Sequence, residues 1–310
     1  MKPDGIRIHE FLQNSAYAGC TAPQFLNEGV FSAAWSFQSN HQEKVIRLGS
    51  RLDFFLCDWF AGIHFSPRLP VPAVETMGVF DDSWSYAVSE RMPGNPSNLL
   101  SKTDAIGLVP DLLMQLHKVS QLPVPQGEGF GPVNGAGNVR FTYTRWRNFL
   151  TDFAQWPRRM NGRRGEKFLE WSTLFSKTFL DESVARRIMD ELMAAAQHCP
   201  DMRQWIHGDF GFDNVLADSG RVTAILDWPE MKLGDPLFDL AGLAFHTQHQ
   251  IDYVAAWKQL GYSYDFNASN WDQRLRACMC YHALATLFFD ANRGQEEWYA
   301  DDLDRAKKLL

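Results

Sequence analysis

Between Trp205 and Leu240 the chain reads WIHGDFGFDNVLADSGRVTAILDWPEMKLGDPLFDL, and no other stretch restricts the fold as strongly. NVLA and VTAILDW are apolar and β-rich. The Asp218-Ser219-Gly220-Arg221 segment between them carries a glycine able to take the positive φ of a tight turn, so a hairpin is expected. Antiparallel pairing brings Asn214, before the first strand, and Asp227, at the end of the second, to one end of the ribbon. His207 and Asp209 lie just upstream, and the fold-back leaves them near that end. Three side chains able to bind or activate oxygen are therefore expected to converge: Asp209, Asn214 and Asp227.

The rest of the chain sorts into two kinds of sequence. VFSAAWSF and EKVIRL flank a polar SNHQ turn, LDFFLCDWFAGIHF is an apolar helix candidate, and ETMGVFDDSWSYAVSE supplies two strands about a DDS turn. MPGNPSN, rich in turn formers, reads as a linker. Beyond it helical spacing takes over. Leu112, Leu113 and Leu116 share a face of a helix expected to start near Pro110, and Val184, Ile188, Leu192 and Ala195 repeat along another. The expectation is an α+β, bilobal architecture. Residues 1–92 form an antiparallel-sheet N-terminal lobe and residues 93–310 a mainly helical C-terminal lobe, with a cleft between them.

A converging Asp, Asn and Asp set suits phosphoryl transfer. Mg²⁺ prefers hard oxygen ligands, typically one or two from protein with water and phosphate completing the octahedron. Asp227 is expected as the primary metal ligand and Asn214 as the second, while Asp209 accepts the proton of an acceptor hydroxyl. The five-position step from Asp209 to Asn214, followed by an Asp at a strand end, equals that of protein-kinase catalytic loops. Taken singly, each residue is better explained as a local turn or strand-end group; it is their joint spacing across a hairpin that points to catalysis. His207 reads as a loop-holding residue, Asp235 as a loop brace and Asp239 as a helix-start residue.

HGDFGFDNVL, ILDW and GDPLFDLA resemble the aminoglycoside phosphotransferase family, whose fold is that of the protein kinases. EGVFSAAWSF, VIRLGS, LPVPAV, GFGP and TRWRNFL extend the resemblance from about Glu28 to Ala241. By this resemblance Asp209 matches the catalytic Asp, and Asn214 and Asp227 match the metal-binding pair. It implies Mg²⁺, ATP or GTP as co-substrate, and an acceptor hydroxyl on an aminoglycoside of the hygromycin type. Kinases of macrolides, choline, homoserine and methylthioribose resemble the same pattern, so another small-molecule alcohol or sugar is an alternative acceptor. A catalytically silent kinase-like binding module is a further reading.

The N-terminal lobe can be read against that template. Arg47 in EKVIRL stands where the family usually has a strand lysine. Asp58, a lone charge on an apolar helix, is expected to pair with it; Asp53 is expected to be a helix N-cap. The GVFSA turn has only Gly29, and Ser32 near its tip is expected to reach a phosphate oxygen. YAVSERMPG resembles the family's hinge, so the backbone at Glu90 and Met92 would meet the adenine edge, with Ser89 at the back of the pocket.

The last sixty residues are rich in acids, including Asp252, Asp265, Asp272, Asp290, Glu296, Glu297, Asp301 and Asp302. Of these, Asp272, Asp290, Glu296 and Glu297 are candidates for a wall that attracts a cationic aminoglycoside. Trp146, Trp156, Trp171, Trp257, Trp271 and Trp298 are expected mostly in cores, and Arg158, Arg159, Arg163 and Arg164 in a solvated loop. A net charge of −7 argues against nucleic acid as partner. The N-terminal sequence has no signal-peptide pattern and no window reads as a membrane span. Five cysteines without scaffold spacing suggest buried thiols in a cytoplasmic protein, including Cys278 and Cys280, which point apart on a helix. A monomer or weak dimer is expected. Neither a GxxxxGK[ST] motif nor an HExxH pair occurs, which counts against a P-loop NTPase and a metal-dependent hydrolase.

Overall fold

The computed structural model describes residues 3–29, 32–135, 143–157, 168–262 and 270–310. Strands β1 (Gln24–Glu28), β2 (Ser32–Ser39), β3 (Gln42–Gly49), β4 (Val74–Val79) and β5 (Ser85–Glu90) form an antiparallel sheet in the order β1-β2-β3-β5-β4. The β2–β3 hairpin closes at Ser39↔Gln42, and both turn residues, Asn40 and His41, take positive φ, matching the twist of the strands. On one face of the sheet, Ile8 and Leu12 of α1 (Gly5–Gln13) pack against Trp35, Phe37, Ile46, Leu48 and Val88.

Helix α2 (Leu52–Phe65) buries Cys57, Ala61 and Phe65 in a second core, shared with the C-terminal lobe. The N-cap assignment of Asp53 is corrected. The extended residue before the helix is Arg51, so Asp53 stands inside the first turn, near the positive end of the helix. There it accepts from Arg51 Nε at 2.7 Å.

The chain then crosses to the second lobe, where β6 (Asn95–Pro96) adds to the ribbon of β9 (Val215–Asp218) and β10 (Arg221–Ile225) in the order β10-β9-β6. Gly94 makes this crossing possible: at φ +99° a Cβ would stand 2.6 Å from Thr223 Oγ1 and 2.7 Å from the Ala217 carbonyl oxygen. The ribbon turns at Ser219 and Gly220, both at positive φ, with Asp218 opposite Arg221. A third small sheet runs β7-β11-β8, from Gly131–Pro132 (β7), Lys232–Gly234 (β11) and Gln204–Ile206 (β8).

Helix α3 (Lys102–Ser120) starts about two turns before Pro110, which corrects the expected boundary. Ser101 sets the start by accepting from Asp104 N at 3.2 Å while its hydroxyl donates to Asp104 Oδ2 at 2.7 Å. The helix continues through Pro110, one backbone hydrogen bond short, because Ala105, Leu108, Leu112, Leu113 and Leu116 all bury on one side. The C-terminal helices are α4 (Trp146–Thr151), α5 (Trp171–Lys177), α6 (Glu182–Ala196), α7 (Leu237–His246), α8 (Tyr253–Gln259), α9 (Trp271–Arg293) and α10 (Glu296–Lys307). Val184, Ile188 and Leu192 of α6 meet Leu284, Leu287 and Phe288 of α9 in the largest core, as their spacing predicts. The α+β, two-lobed expectation holds: a sheet-built N-terminal part and a helical C-terminal part.

All five cysteines are buried and free, Cys278 and Cys280 within α9. Trp146, Trp156 and Trp257 are core residues, whereas Trp298 is exposed. The basic cluster of Arg158, Arg159, Arg163 and Arg164 and the acid Asp265 lie outside the described residues. Among the described residues no helix is long and apolar enough to cross a membrane.

Candidate active site

The loop after β8 is held from behind. Gly208 takes φ +90°, and a Cβ there would lie 2.1 Å from the Glu230 carbonyl oxygen and 2.3 Å from Lys232 Nζ. Only glycine satisfies both the backbone angle and that approach. His207, fully buried, sits 2.9 Å from the Leu226 carbonyl through Nε2 and accepts from Asp209 N at 3.3 Å through Nδ1. Those two bonds select the Nε2–H tautomer. Burial pushes its pKa down to about 4, so the ring stays neutral and serves as a brace, as expected from sequence.

Asp239 lies at the start of α7, as expected from sequence, and it also takes the loop-bracing duty that had been assigned to Asp235. Asp239, inside the first turn of α7, accepts from His207 N and Gly208 N, both at 2.8 Å, and is therefore the brace of the loop. Asp235 accepts from Leu237 N at 3.0 Å at the start of α7, and it binds buried Arg274 through two 2.7 Å hydrogen bonds. The fold packs α7 behind β8, which turns Asp239 inward; this depends on tertiary position and not on the GDPLFDLA segment alone.

The ribbon brings its two residues to this loop. Asn214 Nδ2 donates to both the carbonyl and Oδ2 of Asp209, each at 2.8 Å. Its amide nitrogen is thereby committed, and its oxygen remains as the donor atom for a cation. Leu226 N bonds the Asn214 carbonyl at 2.8 Å, closing the base of the ribbon, and Asp227 follows at φ +63°, a left-handed kink. The Asp227 side chain is exposed to the cavity, within a recess that partly desolvates it. That desolvation, then the charges of Asp58 and Asp209, push its pKa up to about 7 against the pull of Arg47. Asp227 and Asn214 both border the cavity, and a carboxylate with an amide oxygen is a donor set that suits a hard divalent cation such as Mg²⁺.

Between the lobes lies a cavity of about 440 Å³, which borders Asp227, Asn214, Arg47 and Asp58 and also Ser32, Ser89, Glu90 and Met92. The residues expected to handle nucleotide thus share one space with the pair expected to bind metal. Leu216 and Ile225 of the ribbon contribute an apolar floor that sequence reading did not assign.

Arg47, in register with Ala34 and Ala87 on β3, binds Asp58 at 2.5 Å and stacks over Phe55 at 5.3 Å. Desolvation works against the guanidinium charge, but Asp58 and then Asp227 outweigh it and leave its pKa raised. Asp58 has a second task that sequence did not reveal: its Oδ1 accepts from Trp228 N at 2.9 Å. One carboxylate on α2 therefore holds both the cation and the backbone next to Asp227. A further link between linker and loop is Asn98 Nδ2 to Asp213 Oδ1 at 2.9 Å.

The acidic candidates separate. Asp272 is exposed in the first turn of α9, as are Glu296 and Glu297 in that of α10. Asp290 is corrected: it is buried against Asp302, and burial followed by the hydrogen bond and charge of Asp302 pushes it up to about 7. A carboxyl tied up in this way is not part of an open acidic wall. None of these four borders the cavity between the lobes.

The sequence matches the profile described as "phosphotransferase enzyme family" over residues 54–266. The hygromycin-B 4-O-kinase of Escherichia coli is 34% identical over 221 residues, a match spanning 71% of this chain and 61% of that protein. The viomycin phosphotransferase of Streptomyces vinaceus is 25% identical over 270 residues, 83% of this chain and 81% of that one. Among solved structures, a thermostable mutant of aminoglycoside phosphotransferase APH(4)-Ia, in ternary complex with AMP-PNP and hygromycin B, aligns with a TM-score of 0.81. Its identity is 26%, with 97% of each chain covered. The kinase-like fold expected from HGDFGFDNVL and ILDW is the one this chain has. With well over half of its length inside the profile, the chain belongs to the phosphotransferase enzyme family.

Proposed function

We propose that this protein transfers the γ-phosphate of ATP or GTP to a hydroxyl of an aminoglycoside of the hygromycin type. Residues 1–92 act as the nucleotide lobe and residues 93–310 as the catalytic and acceptor lobe. The observation that carries this reading is that Asn214 and Asp227, at one end of the β-ribbon, border a cavity that also contains the Arg47–Asp58 pair, while Asn214 holds the Asp209 carboxylate just behind them at 2.8 Å. The hygromycin-B kinase relative and the APH(4)-Ia complex with AMP-PNP support the choice of acceptor and of an adenine nucleotide.

In this reading Asp209 accepts the proton of the attacking hydroxyl, and Asn214 fixes the Asp209 carboxylate by donating to Oδ2. Asp227 and the Asn214 oxygen would hold Mg²⁺, which would supply neutralisation of the negative charge on the transferred phosphate. Arg47 meets the α- and β-phosphates and Asp58 keeps it aimed. Ser32 donates to a phosphate oxygen, while the backbone at Glu90 and Met92, beside Ser89, receives the base. Exposed acids at the ends of α9 and α10, namely Asp272, Glu296 and Glu297, draw the polycation toward the C-terminal lobe.

Incubating the protein with Mg²⁺, either nucleotide and hygromycin B, followed by mass spectrometry, is expected to show a gain of one phosphoryl group. Turnover of another alcohol beside none of hygromycin B would move the assignment to a different acceptor. No transfer to any acceptor, with nucleotide bound, would instead favour a silent binding module.

A further inference from the structure

Lys232 opens β11 in the segment MKLGD and is buried, 3% exposed. A buried ammonium is costly unless it meets negative charge or a π face. Its Nζ lies 4.6 Å from the Phe238 ring centroid and occupies the space that a side chain at residue 208 would need, immediately before Asp209. Strand pairing fixes this place, since Lys232 is opposite Ile206, the last residue before the loop.

The charged and titratable groups acting on Asp239 are His207 and Asp209 from the loop and Lys232 from β11, and His282 of α9 binds the carbonyl of the adjoining Phe238. Burial pushes His207 down to about 4 and His282 down to about 3, so both rings are neutral. Lys232 is thus the cation of this group among the described residues. Burial pushes Asp239 up to about 6, and Lys232 pulls against that rise, as do the two amides that Asp239 binds.

We propose that Lys232 is a positioning residue: its buried ammonium fills the space behind Gly208, whose amide Asp239 Oδ1 holds at 2.8 Å, and from there it favours the charged form of Asp239 and so clamps the peptide that carries Asp209. The clamp deepens the phosphotransfer reading and rests on it only for the catalytic consequence. Asp239 holds the His207 and Gly208 amides best as a carboxylate, and Lys232 keeps it one.

The test compares Lys232→Met, Lys232→Arg, Asp239→Asn and the Lys232→Met/Asp239→Asn double variant in the full chain. Hydrogen exchange of the amides in residues 205–211 is followed from pH 5 to pH 8, alongside kcat and nucleotide KM. Lys232→Met is expected to speed exchange at His207 and Gly208 about tenfold at neutral pH, and to raise by about one unit the pH below which protection is lost. Its kcat should fall about tenfold with nucleotide KM within about twofold, and Lys232→Arg should recover both. In the Asp239→Asn background, Lys232→Met should add less than about twofold, since the two act as a unit.

Unchanged exchange in Lys232→Met, failure of Lys232→Arg to recover, or additive effects in the double variant would each overturn the clamp. Should Lys232→Met not fold, Lys232→Gln takes its place, and the recovery by Lys232→Arg is still required. Exchange needs neither nucleotide nor acceptor. A protein that transfers no phosphate therefore sinks the phosphotransfer reading without touching this one.

Discussion

Asp58 carries two contacts that separate cleanly by mutation. It binds Arg47 at 2.5 Å and accepts from Trp228 N at 2.9 Å, and its side chain is only 8% exposed. Asp58→Asn removes the charge but keeps an oxygen for Trp228. Breaking a buried pair on one side costs roughly 3–5 kcal/mol, because the remaining charge is left uncompensated. Arg47 also feels Asp227, so the lower end, about 3 kcal/mol, is expected. Asp58→Ala additionally orphans the buried Trp228 N–H, worth about 1–3 kcal/mol more, for a total of about 4–6 kcal/mol. Urea unfolding of both variants reads the difference, and nucleotide KM should rise in both as Arg47 loses its aim. Equal stability of the Asn and Ala variants, or an unchanged KM, would refute the bridging role of Asp58.

Other outcomes follow from the same contacts. Gly208→Ala should lower kcat by about two orders of magnitude or prevent folding, since its methyl group meets the Glu230 carbonyl at 2.1 Å; circular dichroism beside steady-state rates distinguishes the two. Asp290, held up to about 7 against an ordinary value near 3.8, contributes stability that is complete below the lower value and lost as pH rises through the higher one. Asp290→Asn should remove that loss. Wild type should weaken relative to the variant between about pH 4 and pH 7, by up to about 1.4 kcal/mol per pH unit midway, measurable as unfolding free energy at each pH.

What sequence could reveal here was local, or followed from one pairing rule. The Ser219-Gly220 turn fixes the ribbon, and the ribbon by itself brings Asn214 and Asp227 to one end. Asp58 stood out as a charge inside LDFFLCDWFAG that needs a cation, and the family resemblance of EKVIRL supplied Arg47 as its partner. The same reasoning did not extend to Trp228, 170 positions away, because a backbone donor leaves no trace in composition. Asp239 and Lys232 were equally hidden: each acts on the 207–208 peptide only once β8, β11 and α7 have packed. Pro110 misled because its preference for a first turn is weaker than the burial of a helical face and the Ser101 cap upstream. Asp290 misled in a related way. Acids near a C-terminus usually face solvent, but the packing of α10 on α9 closes Asp302 over it.

The central claim, that the ribbon end is a phosphoryl-transfer centre with Asp209 as its proton acceptor, is tested most directly by Asp209→Ala. Its kcat and its affinity for nucleotide should be measured side by side. A lost acid–base group should lower kcat by roughly 10²–10⁴ while nucleotide affinity stays within about twofold, since Arg47, Asp58 and Asp227 are untouched. Full turnover in that variant would contradict the account.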